Sequence, residues 1–188
     1  MTELKELFVR SVGEFDSRVK QIKDDQWELP TPCSDWNVRD LVNHLVYEDL
    51  WAPPLLEGQT VEQVGDRFEG DVLGEAPVAA WDKASSQTLD AAGQEGALER
   101  QVHLSRGPTP AAQYVGELLN DHVIHAWDLA RAIGADDNLD QELVEFLYEL
   151  AKPMEDTLKA TGAYGDKVEA PEDADTQTKL LAVMGRRA

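Results

Sequence analysis

Residues 120–130 read Asn120-Asp121-His122-Val123-Ile124-His125-Ala126-Trp127-Asp128-Leu129-Ala130, and the chain concentrates its chemistry in this stretch. Two of the four histidines of the protein and two carboxylates fall within eight residues here. Successive residues of an α-helix are turned by about 100°, so side chains four apart share one face, one turn along the axis. Asp121 and His125 therefore project side by side, with the spacing of two metal ligands.

A metal site at this pair needs a further ligand from another part of the chain. Catalytic metal ions usually take three protein ligands and keep a position open. His44, in the segment Leu41-Val42-Asn43-His44-Leu45-Val46, is the main candidate. His122, three residues before His125, competes for the same role. Its place nearer the middle of the apolar stripe equally suits a hydrogen-bonded histidine of the core.

Apolar residues recur at steps of three and four along most of the chain, which predicts an all-α fold. We expect helices over residues 2–23, from Asn37 to the Pro53-Pro54 pair, over 77–92, from Thr109-Pro110 to 133, over 138–161 and over 176–184. The Pro53-Pro54 pair should end or kink the second of these helices. Asn37 followed by Asp40 has the residue types of a helix cap. Residues 55–76, with four glycines, form a long connection after the second helix. We hypothesise that this connection roofs the cleft of the metal site.

Other polar and aromatic residues have weaker claims to a function. A thiol near a helix start, such as Cys33, can be reactive, but no histidine base lies near it in sequence, so packing is the simpler interpretation. His103 lies in the short segment 98–104, which we expect to be extended, and its lack of a partner at ligand spacing favours a surface or supporting role. Trp27 and Trp36, in the loop before the second helix, are interpreted as lids on the core.

Length and charge restrict the classes of function. The 188 residues suit one domain, with residues 163–188 as a C-terminal extension docked on the bundle. A formal net charge of −20, from 37 acidic and 17 basic residues, opposes binding to nucleic acid or to an anionic membrane surface. An anionic substrate would need a local basic or metal-centred site, for which Arg39, Arg106 and Arg131 are the candidate cations. The single cysteine, with no signal peptide and no membrane-spanning apolar run, favours a cytoplasmic protein.

Two blocks of sequence carry a resemblance to a known family. They are Pro30-Thr31-Pro32-Cys33-Ser34-Asp35-Trp36-Asn37-Val38-Arg39-Asp40-Leu41-Val42-Asn43-His44-Leu45-Val46 and Val123-Ile124-His125-Ala126-Trp127-Asp128-Leu129-Ala130-Arg131-Ala132-Ile133-Gly134, supported by Lys179-Leu180-Leu181-Ala182-Val183-Met184-Gly185-Arg186. Together they resemble the DinB-like metal-binding proteins, in the branch related to mycothiol-dependent maleylpyruvate isomerase. The resemblance implies a four-helix bundle that holds a divalent ion through His44, Asp121 and His125. Aspartate is one methylene shorter than the glutamate usual in that family, so three arrangements stay open: Asp121 binds directly, binds through water, or gives way to His122.

These residues predict a metal-dependent function. Two imidazoles and a carboxylate suit zinc, with nickel and iron as alternatives, and such an ion can activate a bound thiol or water at neutral pH. The resemblance implies mycothiol as a cofactor, which predicts a thiol-dependent transferase or isomerase that acts on a small electrophilic molecule. A metal-dependent hydrolase, or a protein that binds metal or a small ligand without catalysis, are the alternatives. Asp128 either orients a ligand imidazole or caps a neighbouring loop, and we expect a monomer or a homodimer.

Overall fold

The computed structural model describes residues 2–154 and 168–188, and it confirms the all-α fold. The helices are α1 Thr2–Val19, α2 Val38–Leu56, α3 Val61–Val64, α4 Pro77–Gly93, α5 Ala111–Ile133, α6 Gln141–Ala151 and α7 Thr176–Val183. Two short strands, β1 Gln101–Leu104 and β2 Gly107–Pro110, pair antiparallel between α4 and α5. The chain divides into two compact units, Met1–Ala135 and Asp136–Ala188.

The first unit is a bundle of the four long helices α1, α2, α4 and α5. α1 packs against α5 and α4, and α2 packs against α4 and α5, so each helix has two neighbours in the ring. The apolar stripe of α1 supplies Phe8 and Phe15, and the ring of Phe15 meets Trp81 of α4 edge-on at a centroid distance of 4.8 Å. Because α5 is buried on all sides from His122 to Ala130, polar side chains in that stretch must find partners inside the protein.

α2 begins as predicted and continues past its two prolines. The Asn37 side chain accepts from the backbone N–H of Asp40, and the Asp40 carboxylate accepts from that of Asn37, which completes a capping box. Of the two effects predicted for Pro53-Pro54, an end or a kink of the helix, the end is wrong, because α2 runs on to Leu56. Proline 53 offers no N–H to the carbonyl of Asp49. That carbonyl accepts instead from the hydroxyl of Thr88 on α4, at 2.6 Å.

The predicted start of α5 at Thr109-Pro110 is also wrong. Both residues belong to β2, where Thr109 pairs with Val102, and the Thr109 hydroxyl bonds to the carbonyl of Gly107 instead of capping the helix. Pro110 has the extended angles φ −55° and ψ 131°, and α5 begins after it at Ala111. The hairpin explains the difference, since pairing with β1 holds the two residues extended. The prediction of an extended segment that contains His103 agrees with β1, in which this residue is exposed.

The second unit contains α6 and α7, which pack against each other. The Gln177 side chain of α7 accepts from the Leu139 N–H at 2.9 Å and donates to the Asp137 carbonyl at 3.0 Å, so it fastens the segment before α6. A 3₁₀ turn, Lys152–Met154, follows α6 at Pro153. The rest of the predicted helix 138–161 lies outside the described residues, as do residues 163–167. The docking of residues 163–188 on the bundle stays a prediction.

Candidate metal centre

Three donor atoms from two helices converge where α2 passes α5. His44 Nε2 lies 3.1 Å from Asp121 Oδ2, and His125 Nε2 lies 3.8 Å from Asp121 Oδ1. Each residue offers one ligand atom within 4.8 Å of the other two, and the two imidazole centroids are 5.4 Å apart. The structure thus brings together the three residues predicted as ligands, and metal binding itself stays a prediction.

The group lies at the edge of the bundle, between the interior and solvent. Asp121 and His125 are one turn apart on α5, and His44 comes from the border of the apolar stripe of α2, which packs beside α5. The side chains are 8% exposed for His125, 25% for His44 and 29% for Asp121. One flank of the group is therefore closed by protein, and the other is open to a ligand.

The orientation of His125 is set by a buried carboxylate. Its Nδ1–H donates to Asp128 Oδ2 at 3.0 Å, and Asp128 is fully buried. With the proton on Nδ1, the lone pair of Nε2 faces Asp121, as a metal ligand requires. The thiol of Cys33 donates to the same Oδ2 at 3.3 Å, and its sulfur lies 3.9 Å from His125 Nδ1. Asp128 therefore contacts both His125 and the loop that carries Cys33, and its predicted role in orienting a ligand imidazole stays a prediction.

That loop places Trp36 over the two imidazoles. The indole lies 4.7 Å from the ring centroid of His44 and 5.7 Å from that of His125. Thr31 closes the loop: its hydroxyl lies 2.9 Å from the Trp36 carbonyl, and the Trp36 N–H donates to the Cys33 carbonyl at 2.9 Å. The interpretation of Trp36 as a lid on the core is wrong, because its indole covers the imidazoles of His44 and His125. Trp36 lies in a loop, where helical periodicity does not indicate the direction of a side chain.

Burial and neighbouring charges act against each other at this group. For His44 burial is the largest influence and opposes the imidazolium, but the hydrogen bond and charge of Asp121, with the charge of Glu48, raise its pKa above 6.5. For Asp121 burial favours the neutral acid, yet the hydrogen bond from His44 and the nearby imidazoles lower its pKa below 3.8. Burial and then the charge of Asp121 raise the pKa of Glu48. A metal ion would therefore compete with a proton for His44.

A cavity of about 370 Å³ opens beside His44. It is lined by Asp35, Trp36, Asp40, Asn43, His44 and Tyr47. The long connection between α2 and α4 is held next to it, because the Asn43 side chain accepts from the Val72 N–H at 2.9 Å and donates to the Gly70 carbonyl at 3.2 Å. The connection thus borders the cavity through Asn43, whereas Trp36 covers the imidazoles.

Comparison with known proteins gives the family. The family model described as the mycothiol maleylpyruvate isomerase N-terminal domain matches residues 8–130. The chain belongs to this family. The match covers the four-helix bundle as far as Ala130 and includes all three residues of the candidate metal centre. Within residues 2–154 and 168–188, no helix combines the length and apolarity needed to cross a bilayer.

The chain is also similar to other proteins in sequence and in structure. Uncharacterized proteins of Mycobacterium tuberculosis, from strains CDC 1551 and H37Rv, are each 28% identical over 183 residues, which is 94% of this chain and 94% of theirs. The crystal structure of mycothiol-dependent maleylpyruvate isomerase superposes with a TM-score of 0.66 at 15% identity, covering 86% of this chain and 72% of that chain. A histidine-to-alanine mutant of that enzyme gives 0.65 at 14% identity, with the same coverage. These structures share the fold.

His122, the alternative ligand, lies elsewhere in this member of the mycothiol maleylpyruvate isomerase family. Its Nε2–H donates to Asp49 Oδ1 at 3.2 Å, and both side chains are buried, at 1% and 0% exposed. The rings of Phe8 and Trp81 lie 5.6 and 5.8 Å from its own. Its other nitrogen, Nδ1, has no hydrogen-bond partner among the described residues. His122 therefore has the surroundings of the core histidine that the sequence left open.

Sequence reasoning missed one partner of each of the two histidines of α5. Asp49 follows Val42 and Val46 at the spacing of the buried stripe of α2, and a carboxylate on such a stripe indicates a buried partner. Cys33 gave no local signal, because its contact with His125 spans 92 residues. The resemblance block from Pro30 to Val46 did contain Cys33, Trp36 and His44 together, but only the fold shows that they meet.

Proposed function

We propose that the protein binds a divalent metal ion through His44, Asp121 and His125 and uses it in a thiol-dependent transferase or isomerase reaction on a small electrophilic molecule. The observation that carries the proposal is the convergence of two imidazole nitrogens and one carboxylate within 4.8 Å, in a chain of the mycothiol maleylpyruvate isomerase family. Fold alone does not determine chemistry, so the donor set has to support the metal by itself.

The donor set fits a metal with open positions. Ligands about 2.0–2.2 Å from a tetrahedral ion lie about 3.4 Å from one another. His44 Nε2 lies 3.1 Å from Asp121 Oδ2, and His125 Nε2 lies 3.8 Å from the other oxygen, Oδ1. These distances support direct binding by Asp121 in spite of its short side chain. Two nitrogens and one oxygen favour zinc, with nickel and iron as alternatives. Three protein ligands leave room for a small molecule at the open flank.

The protein's own groups hold and shield this centre. Asp128 keeps the proton of His125 on Nδ1, so that Nε2 remains a ligand. Trp36 covers the two imidazoles on one side. When bound, the ion would supply a positive charge that lowers the pKa of a coordinated thiol or water.

We infer that a mycothiol-type thiol is the second reactant. The solved enzyme that shares the fold is described as mycothiol-dependent, and the family model carries the same thiol in its description. In the proposed step the thiol loses its proton to solvent and its sulfur forms a bond to an electrophilic carbon. The electron pair of that carbon's π bond moves to the neighbouring atom, which takes up a proton, or a leaving group departs with its bonding pair. A transferase would end with this product, whereas an isomerase would re-form the π bond after rotation and release the thiol, which regains its proton.

Metal content tests the first half of the proposal. Purified wild type, equilibrated with zinc and freed of excess metal, should hold close to one equivalent by elemental analysis. His44→Ala and His125→Ala should each lose it. His103→Ala is the matched control, because His103 is exposed on β1, and it should keep the metal. Wild type that takes up no zinc, nickel or iron would refute the proposal.

Thiol dependence tests the second half. Conjugation of 1-chloro-2,4-dinitrobenzene should be accelerated by the zinc-loaded protein with mycothiol, and not by metal-free protein or His125→Ala. Ester hydrolysis by the zinc-loaded protein at a rate indifferent to mycothiol would support the hydrolase instead. Zinc binding with neither activity, across a panel of electrophiles and esters, would favour a metal-binding protein without catalysis.

A further inference from the structure

The cavity beside His44 has an acidic and aromatic lining. Two of its six lining residues are carboxylates, Asp35 and Asp40, and two are aromatic, Trp36 and Tyr47. Both carboxylate residues are exposed, and both aromatic residues are half-buried. Among residues 2–154 and 168–188, no lysine or arginine lines this cavity.

The arginines that the sequence offered as anion sites are engaged elsewhere. Arg39 donates to Asp71 Oδ2 and to the Gly74 carbonyl, both at 2.8 Å. Arg106 donates to both oxygens of Glu117, at 2.7 and 2.6 Å. The guanidinium of Arg131 lies 5.5 Å from the ring centroid of Trp127. Each of these positive charges is held against an acid or an aromatic ring outside the cavity lining.

Further negative charge surrounds the candidate metal centre. Glu48 lies one turn beyond His44 on α2, close enough to Asp121 for the two acids to repel each other. The whole chain carries −20. A divalent ion held by two neutral imidazoles and one carboxylate keeps a single net positive charge, which faces at least three acids outside its own ligands. A substrate with two carboxylates would therefore meet repulsion at the entrance.

We propose that this cavity selects a small molecule that carries an amine or quaternary ammonium group, and that it disfavours dicarboxylates. The cationic group would rest beside Trp36 and Tyr47, near the carboxylates of Asp35 and Asp40. Aromatic rings attract such cations through the negative charge of their faces, and carboxylates add a Coulomb attraction. The statement that the cation is part of a substrate rests on the proposed function. The preference of the cavity for a cation over a dicarboxylate does not.

A matched set of probes tests the charge preference. Choline, its neutral isostere 3,3-dimethyl-1-butanol and maleate would be titrated into zinc-equilibrated and into metal-free protein, with binding followed by calorimetry and by NMR. One exposed cation–π contact is worth about two- to fivefold in affinity, so choline should bind at least about fivefold tighter than the isostere. Maleate should bind metal-free protein more weakly than choline. Equal affinity for choline and its isostere, or tighter maleate binding to metal-free protein, would overturn the inference.

Two substitutions with equal charge change separate local from global attraction. Asp35→Asn removes an acid from the cavity, and Asp90→Asn removes an exposed acid from α4, which contributes nothing to the lining. Asp35→Asn should weaken choline at least twofold and leave the isostere unchanged, whereas Asp90→Asn should change neither. Equal weakening by both variants would mean that choline senses only the net charge, and the inference would fail.

Metal content, measured in the same samples, distinguishes this inference from the proposed function. Preferential binding of choline by protein that takes up no metal would refute the metal-dependent function and keep the charge preference. Stoichiometric zinc without preference for choline would refute the charge preference and keep the metal-dependent function.

Discussion

Two pairs of carboxylate and imidazole join α2 to α5, and they differ in their surroundings. Asp49 and His122 are 3.2 Å apart, closed in by Phe8 and Trp81, and at most 1% exposed. His44 and Asp121 are 3.1 Å apart but 25% and 29% exposed, with His125 as a third donor and a cavity alongside. The same two chemical groups thus serve packing in one place and form a candidate metal centre in the other. Burial and the number of converging donors separate the two.

The largest expected difference between the pairs is in metal affinity. Asp121→Ala should weaken zinc by about a thousandfold or more, because apparent zinc-binding free energies of about 10–16 kcal/mol are shared among few ligands. Asp49→Ala should leave zinc affinity within a few-fold of wild type in protein that stays folded. Competition with a chromogenic zinc chelator measures both. If His122→Ala loses zinc while Asp121→Ala keeps it, the assignment of the third ligand is wrong.

The next difference is in the free energy of unfolding, for which the substitution of Asp49 should have the larger effect. Asp49→Ala should lower the free energy of unfolding by about 3–5 kcal/mol, because removal of one partner leaves the other polar group buried alone. Asp121→Ala, measured without metal, should cost under about 1 kcal/mol, as expected for a partly exposed pair. Urea unfolding followed by circular dichroism compares the two variants. Equal losses would contradict the division into a packing pair and a ligand pair.

A smaller effect should follow from the carboxylate behind His125. Asp128→Asn keeps the shape and an oxygen that accepts from His125 Nδ1 but removes the negative charge, so zinc affinity should fall by about tenfold, at the low end of the range for such groups. Cys33→Ser, which retains a donor to the same oxygen, is the control and should change zinc affinity by less than about twofold. A larger loss in Cys33→Ser than in Asp128→Asn would mean that sulfur takes part in binding the metal.

The smallest expected effect is the pH dependence of the metal-free protein. Because the pKa of His44 is raised above 6.5 by Asp121, the stabilising pair is complete below pH 6.5 and is lost as the pH rises through the raised value. The difference in unfolding free energy between wild type and His44→Gln should therefore shrink from pH 6 to pH 8, by no more than about 1 kcal/mol. His103→Gln should show a constant difference. Growth of the His44 difference with pH would contradict the raised pKa.

Sequence periodicity predicted the helices well and their ends less well. The step of three and four in α1 gave its buried residues, and the Asn37 cap began α2 where expected, since both signals are local. Pro53 failed as a stop signal because Thr88, 35 residues away, satisfies the carbonyl that the proline leaves without a partner. Thr109-Pro110 failed as a start because β1 holds both residues extended. Each error came from a partner distant in sequence.

The candidate metal centre divides in the same way. The spacing of Asp121 and His125 is a property of one helix, so sequence alone could give it. His44 was the main candidate for the further ligand from the sequence, and the resemblance supported it. The choice between Asp121 and His122 depends on which of the two side chains faces His44 on α2. Spacing did not contain that information, because both residues neighbour His125. Trp36 and Cys33 reach the site only through the closed shape of their loop.

The hydroxyl of Thr88 links α4 to α2 by a hydrogen bond. It donates to the carbonyl of Asp49, which Pro53 leaves without its usual helical partner and which lies five residues after His44. α4 supplies no donor atom to the candidate centre, yet this hydrogen bond ties it to the helix that carries His44. A substitution of Thr88, natural or engineered, could therefore change the spacing of the three candidate ligands without changing any side chain that a ligand touches.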